Sequence, residues 1–302
     1  MGTGAVGAYF GVHLARAGHD VTFVARGEHL QAMRARGLSV VGPRGDFSLP
    51  AVQATAHPED IGPVDVVLFC VKLYDTESAT QAIAPLLSAG GVCISLQNGV
   101  DAQERIGRIV GDDSVMGGLA FVSGVIEAPG VIRYASDMST IRFGESNGAM
   151  SARAVAFRDT CEAAGFKAEL MPDIGAAQWQ KMVGLASNAA LSCVVRQPAG
   201  VVYNDPDLIE VARGAFSEVK AVAVAQGIAM PADIVERTLA MHQNFPPKMY
   251  ASMYHDLARG RRLELDSLSG VIVRKGRELG VPTPVHSMAY ACLKPYLHGQ
   301  SN

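Results

Sequence analysis

The sequence predicts an α/β chain in two parts: an N-terminal domain at 1–171 built on a Rossmann-type parallel sheet, and an all-helical C-terminal domain at 172–302. Three observations predict it. Short apolar runs alternate with amphipathic stretches up to about residue 170, as in strands joined by right-handed helical crossovers. A Gly-x-Gly-x-x-Gly spacing opens the chain. Beyond residue 172 the strand-like runs stop and helical periodicity takes over.

Each element follows from its own residues. "DVTFVAR" (20–26) reads as a strand by its β-branched and aromatic content, and "VDVVLFCVK" (64–72) is almost wholly apolar, as in a strand buried on both faces. "GVCISLQNG" (91–99) and "DSVMGGLAFVSG" (113–124) are read as further strands, with helices at 5–18, 27–37 and 75–90 between them. "GVIRYASDMSTIRFGE" (130–145) reads as a β-hairpin appended to the sheet, and "MPDIG" (171–175) as the linker. Glycine and proline then separate helical stretches at 175–195, 205–227, 231–244, 263–280 and 286–299.

The glycine spacing carries the first functional argument. In a dinucleotide-binding unit the first glycine permits a tight turn, the second lets backbone approach a pyrophosphate, and the third lets helix and strand pack closely. Gly2, Gly4 and Gly7 have this spacing, and an amphipathic helix and a second strand follow at the expected distances. Gly2, Thr3, Gly4, Ala5, Val6 and Gly7 are therefore the expected cofactor-binding backbone. The strand that should precede the loop is reduced to Met1, which we read as the last residue of a natural strand of roughly five or six residues; without it, both neighbouring strands would lack partners. The second strand ends in Arg26, with no acid until Glu28. Arginine there suits the 2′-phosphate of NADP, where an acid would hold the ribose of NAD; the plain alternative is a solvated residue at a helix start.

Composition closes off other classes. The formal charge is −3 with both signs interspersed, against a nucleic-acid role. No apolar run nears the roughly 18 residues that span a bilayer, and the first residues lack the basic segment of a signal peptide. The five cysteines are widely spaced, as free thiols of a reducing cytoplasm would be. His242, His255 and His286 have no ligand spacing with an acid, so we expect no metal. The helical domain is a candidate homodimer surface, although no segment specifies an interface.

Several stretches together, "GTGAVGAYFGVHLARAGHDVTFVARGEHL", "VKLYDT", "SLQNGV", "WQKMV", "SMYHDLARGRRLELDSLSG" and "GVPTP", resemble the ketopantoate reductase family in order and spacing. The resemblance runs nearly the full length and is most specific from Ser252 to Gly270. It implies a Rossmann domain, a helical C-terminal domain, and NADPH-dependent reduction of ketopantoate to pantoate for pantothenate and coenzyme A synthesis. It also implies residue roles. Lys181, after Trp179, matches the general acid, and Glu264 the acidic residue that holds the substrate hydroxyl and tunes the lysine. Ser252 matches the serine on the substrate carboxylate, and Asn98 and Lys72 match positions near nicotinamide and substrate. The chemistry agrees: hydride delivery to a ketone puts charge on its oxygen, and a buried ammonium beside a carboxylate can supply the proton. Without the resemblance, lysine and glutamate are more often solvated helix-face residues.

The chain departs from the family on the substrate helix. Asparagines are usual four and eight residues after the lysine, where this chain has Leu185 and Ala189; Asn188 is a partial substitute. "PTPVH" also puts His286 where the family shows asparagine. A pocket that discriminates by binding a hydroxyl loses that means with those groups. The expectation is a divergent reductase of a 2-keto acid, ketopantoate being the best single choice. The alternatives are a related hydroxy-acid dehydrogenase with another substrate, or a nucleotide-binding sensor whose substrate site has decayed.

Overall fold

Residues 1–88, 90–135 and 138–300 are described in a computed structural model. They group into two units, Met1–Asn98 with Ala102–Ile174, and Gly99–Asp101 with Gly175–Asn302.

In the first unit, α1 (Ala5–Arg16) is followed by β1 (Thr22–Val24), α2 (Gly27–Arg36), β2 (Leu38–Val41), β3 (Phe47–Leu49), β4 (Gln53–Thr55) and β5 (Val66–Phe69). Then come α3 (Thr76–Ile83), β6 (Val92–Ser95), α4 (Ala102–Val110), β7 (Val115–Phe121), β8 (Gly124–Ala128), β9 (Val131–Tyr134), β10 (Thr140–Gly144), α5 (Ala152–Ala163) and β11 (Lys167–Leu170). Strands β5, β6 and β7 pair in parallel, and the five-stranded sheet continues through β10 to β11. β1 and β4 form a separate parallel pair. Met1 to Thr3 run between the two: the Met1 amine donates to the Leu68 carbonyl at 2.8 Å and its carbonyl accepts from the Cys70 amide at 2.8 Å. On the other side the Gly2 and Thr3 amides donate to the Val24 carbonyl at 3.2 and 3.0 Å.

The apolar content read from the sequence becomes the core. All four residues of β6 are buried, and Ile94, Met116, Ile141 and Phe143 pack with Tyr9 and Phe10 of α1 and Phe157 of α5. Each such large side chain contributes about 1.5–3 kcal/mol through burial.

Two expectations need correction. The runs within 130–145 do not form a hairpin with each other: β9 pairs with β8 and β2, whereas β10 pairs with β7 and β11. The hairpin lies one strand earlier, between β8 and β9, where Pro129 and Gly130 supply the turn and Gly130 takes φ +83°. Two residues of the expected turn, Ser136 and Asp137, lie outside the described residues. The result is a four-stranded sheet in the order β3-β2-β9-β8, of which only β9 falls in a run read as β-rich from the sequence. The helix expected over 75–90 is α3 only, continued by a 3₁₀ turn at Ala84–Leu87, because Pro85 has no amide to extend the ladder.

The second unit is helical: α6 (Ile174–Val195), α7 (Ala199–Val202), α8 (Pro206–Ala225), α9 (Ile234–Gln243), α10 (Ser252–Ala258), α11 (Ser269–Leu279) and α12 (Pro284–Leu293). Its core joins Met182, Val183 and Ala186 of α6 to Phe216 and Val219 of α8 and Ile272 of α11. The carboxylate of Glu218, on α8, accepts from the Val285 and His286 amides at 2.7 and 2.9 Å and so caps α12. Among the described residues no helix is long and apolar enough to cross a membrane.

Candidate active site

The glycine loop fits a dinucleotide for reasons visible at each glycine. Gly2 sits at φ +87°, and a Cβ there would lie 2.8 Å from the Val71 amide nitrogen. A Cβ on Gly7 would lie 2.4 Å from the Gly2 carbonyl oxygen, so any side chain would push α1 off the loop. Gly4 differs: a Cβ there meets no atom within 4 Å. Packing inside the protein does not account for that glycine, whereas a ligand needing close backbone approach does. Gly4 is the N-cap of α1, no side chain caps the helix, and its first turn holds no acid. The helical ladder starts at the bond from the Ala8 amide to the Gly4 carbonyl, 2.9 Å, so the amides of Ala5, Val6 and Gly7 precede it. Together with the helix dipole they suit a phosphate. Arg26 is exposed immediately beyond β1, at the N-cap of α2.

Lys72 and Asn98 follow the carboxyl ends of two adjacent parallel strands, β5 and β6, where open α/β sheets bind ligands. Both are partly buried. Their segments are tied together by Gln97, which sequence reasoning passed over in favour of its neighbour. Its buried amide donates to the Val71 carbonyl at 3.1 Å and to Thr76 Oγ1 at 2.9 Å, and its oxygen accepts from Ser95 Oγ at 3.1 Å. Thr76 in turn donates to the Leu73 carbonyl at 2.8 Å, so the turn that begins at Lys72 is braced from both ends. The signal available in the sequence was a glutamine two residues after a strand buried along its whole length, where a buried polar side chain needs partners.

In the second unit, Lys181 lies on α6 two residues after Trp179 and is partly buried. Burial lowers its ammonium to about 8. Glu264 is buried, at the residue before the 3₁₀ turn Leu265–Ser267, and its carbonyl accepts from the Ser267 and Leu268 amides at 3.2 and 3.1 Å. Ser252 is the exposed first residue of α10. Asn188 is buried on α6, and its Oδ1 accepts from the hydroxyls of Tyr203 at 3.0 Å and Ser192 at 3.3 Å. Lys181, Asn188, Ser252 and Glu264 belong to the helical unit, and Gly2 to Gly7, Arg26, Lys72 and Asn98 to the sheet unit.

His286 has no exposed surface; its ring contacts Ser187 Oγ at 3.4 Å and Ser269 Oγ at 3.1 Å, and burial pushes it down to about 4. His242 is buried against Thr238, and His255 is exposed. Among the described residues no group of His, Cys, Asp and Glu is arranged to hold a metal ion.

Comparison with known proteins gives one family across both units. The family described as "Ketopantoate reductase PanE/ApbA" matches residues 1–148, and "Ketopantoate reductase PanE/ApbA C terminal" matches 173–297. A 2-dehydropantoate 2-reductase of Archaeoglobus fulgidus is 34% identical over 95% of this chain and 92% of its own length. Among solved structures, a PanE/ApbA family ketopantoate reductase from Ralstonia eutropha JMP134 superposes with a TM-score of 0.91 at 32% identity, covering 98% of this chain and 96% of that one. A D-mandelate dehydrogenase, solved with NADH and anilino(oxo)acetate, superposes with a TM-score of 0.89 at 21% identity over 98% of this chain and 96% of that one, a likeness of fold alone.

Proposed function

The chain belongs to the ketopantoate reductase family of oxidoreductases, and from that premise we propose that it uses NADPH to reduce a 2-keto acid, with ketopantoate to pantoate as the favoured pair. The observation that carries the proposal is Lys181, an ammonium that burial has brought to about 8 on the helix where the family resemblance puts the general acid.

Gly2, Thr3, Gly4, Ala5, Val6 and Gly7 would hold the pyrophosphate through backbone, and Arg26 the 2′-phosphate. When bound, the cofactor supplies the hydride that the ketone carbon accepts. The proton for the carbonyl oxygen comes from Lys181 Nζ. At about 8 this group is mostly charged at neutral pH, yet gives up its proton far more readily than an ordinary lysine. It regains a proton from solvent between turnovers. Glu264 accepts a hydrogen bond from the substrate hydroxyl and favours the charged lysine, Ser252 donates to the carboxylate, and Asn98 and Lys72 are the residues that the resemblance assigns near nicotinamide and substrate. We place the reaction in the cytoplasm, where Cys70, Cys93, Cys161, Cys193 and Cys292, all free, stay reduced. The active species in this proposal is a homodimer, a point that sedimentation would decide.

A second reading has its own observation. Leu185 and Ala189 stand where the family carries asparagines, and a fold shared with a D-mandelate dehydrogenase does not by itself select the acid. On this reading the chemistry is unchanged and the substrate is a less polar 2-keto acid. A decayed nucleotide sensor is disfavoured by the perturbed Lys181 and the buried Glu264.

The deciding experiment follows NADPH and NADH consumption with ketopantoate and a panel of other 2-keto acids. Saturable turnover with ketopantoate supports the first reading, and turnover only with others supports the second. Dinucleotide binding without turnover of any acid would overturn both. Loss of NADPH preference in Arg26→Asp is expected, and unchanged preference would remove Arg26 from the site.

A further inference from the structure

The polar character that Leu185 and Ala189 remove from α6 returns at a position the family pattern does not use. At about 100° per residue, Asn188 lies only about 20° from the direction of Lys181, two turns on, while Leu185 is about 40° and Ala189 about 80° away. Leu185 packs against the core of the helical unit and Ala189 is buried, so neither offers a hydrogen bond. The two turns rise about 10 Å, within the combined reach of a lysine arm and a small keto acid.

The orientation of Asn188 is set by its neighbours. Its Oδ1 accepts from Tyr203 OH at 3.0 Å and Ser192 Oγ at 3.3 Å. With Oδ1 turned to the two hydroxyls, the nitrogen with its two hydrogens points to the other side. Tyr203 is itself rigid. It has no exposed surface, stacks on Phe216 at 6.4 Å and 13°, and lies against His242 at 4.8 Å. His242 is tied to the Thr238 carbonyl at 2.8 Å and seated so closely on α6 that a Cβ on Gly184 would lie 2.5 Å from its ring. A train of packed aromatic groups thus ends in one hydroxyl aimed at the Asn188 oxygen.

We propose that Asn188 donates its amide hydrogens to the carboxylate of the 2-keto acid and that Tyr203 is the positioning residue that holds it so. The inference rests on the reductase reading and adds to it the group that holds the acid end. The donor recognises the acid end, which every 2-keto acid shares, while Leu185 and Ala189 leave nothing on α6 to recognise a hydroxyl on the tail.

The test is steady-state kinetics of the full chain on two acids that differ by one hydroxymethyl group, 2-ketoisovalerate and ketopantoate. Because Asn188 reads only the acid end that both share, the ratio of kcat/KM for the two acids should be the same in the wild type and in Asn188→Ala. Asn188→Ala should raise KM for both acids about tenfold while kcat and NADPH affinity stay as they are. Tyr203→Phe should raise KM several-fold in the wild-type background and do nothing in the Asn188→Ala background, because it acts through Asn188. Should Tyr203→Phe fold poorly, Asn188→Asp serves instead: it keeps the acceptor for Tyr203 and turns a carboxylate on the substrate, so KM should rise more than tenfold in protein that still binds NADPH. Equal effects of Tyr203→Phe in both backgrounds, an unmoved KM in Asn188→Ala, or a changed ratio between the two acids in that variant would overturn the inference with the reductase reading intact. Absence of turnover with any 2-keto acid would instead sink that reading, and this inference with it.

Discussion

The glycine loop of the first unit and the Lys181 helix of the second are built from opposite materials. The loop offers backbone: glycines whose missing Cβ atoms make room at Val71 and at the Gly2 carbonyl, and amides at the start of α1. The helix offers side chains, each with a polarity and direction supplied by partners far along the chain, as Tyr203 does for Asn188. Backbone recognition depends on spacing over a few residues and survives divergence. Side-chain recognition depends on which groups the fold brings together, and one turn of helix can rewrite it.

Lys181→Ala tests the side-chain half most severely. We expect kcat to fall about a thousandfold with NADPH binding retained. In the wild type, kcat should decline as pH rises through about 8, because the proposed proton donor is the ammonium and burial has lowered it to that value. An unchanged rate in the variant would leave the helical unit without its assigned chemistry.

The backbone half is tested by two glycines that differ in one respect. Gly7→Val meets the Gly2 carbonyl, so it should lower the thermal midpoint and cut NADPH affinity by about a hundredfold. Gly4→Ala meets nothing within 4 Å, so the protein should fold as before and lose only cofactor affinity, by about tenfold or more. Full affinity in Gly4→Ala would mean that no ligand approaches that backbone.

Gln97→Leu sharpens the comparison, since this side chain braces the sheet unit from inside. The variant leaves the Val71 carbonyl without its donor in a buried setting and should cost about 2 kcal/mol in urea unfolding, with kcat/KM down about tenfold. Lost stability at unchanged kinetics would separate the brace from the turn carrying Lys72.

The smallest expected effect concerns His286. Its folded value, about 4, lies below the unfolded 6.5, so the unfolded chain binds the proton first as pH falls. Stability is therefore full above 6.5 and is lost downward from there, by about 1 kcal/mol between pH 6.5 and 5.5. His13, His29 and His242 are lowered by burial and add with the same sign. Comparing wild type with His286→Gln isolates the one residue, and identical curves would show that His286 does not titrate in that range.

Much of the sheet unit was legible because its signals are local. Gly2, Gly4 and Gly7, the apolar run that becomes β5 and the helix that follows the loop are all recognised from neighbours in the chain. The hairpin was misplaced because the β-rich runs at 131–134 and 140–144 look like partners in sequence, whereas pairing is decided by which edge each strand reaches. Gln97 stayed hidden behind Asn98 because its partners, Val71 and Thr76, lie more than twenty residues earlier. The candidate residues Lys181, Ser252 and Glu264 became legible through resemblance to a family, and periodicity alone would have left them as helix-face residues.

By itself, then, the sequence determined the two-part build, the dinucleotide loop and the absence of an acid at the end of β1. Spacing, β-propensity and the special freedom of glycine act within a few bonds, and no tertiary context is needed to read them. Only the tertiary structure decided that Lys181 loses its water and approaches 8, that β9 and β10 join different sheets, and that the Asn188 amide oxygen faces Tyr203. Desolvation, strand pairing and the direction of a hydrogen bond are properties of groups brought together from distant parts of the chain, and they exist only once it has folded.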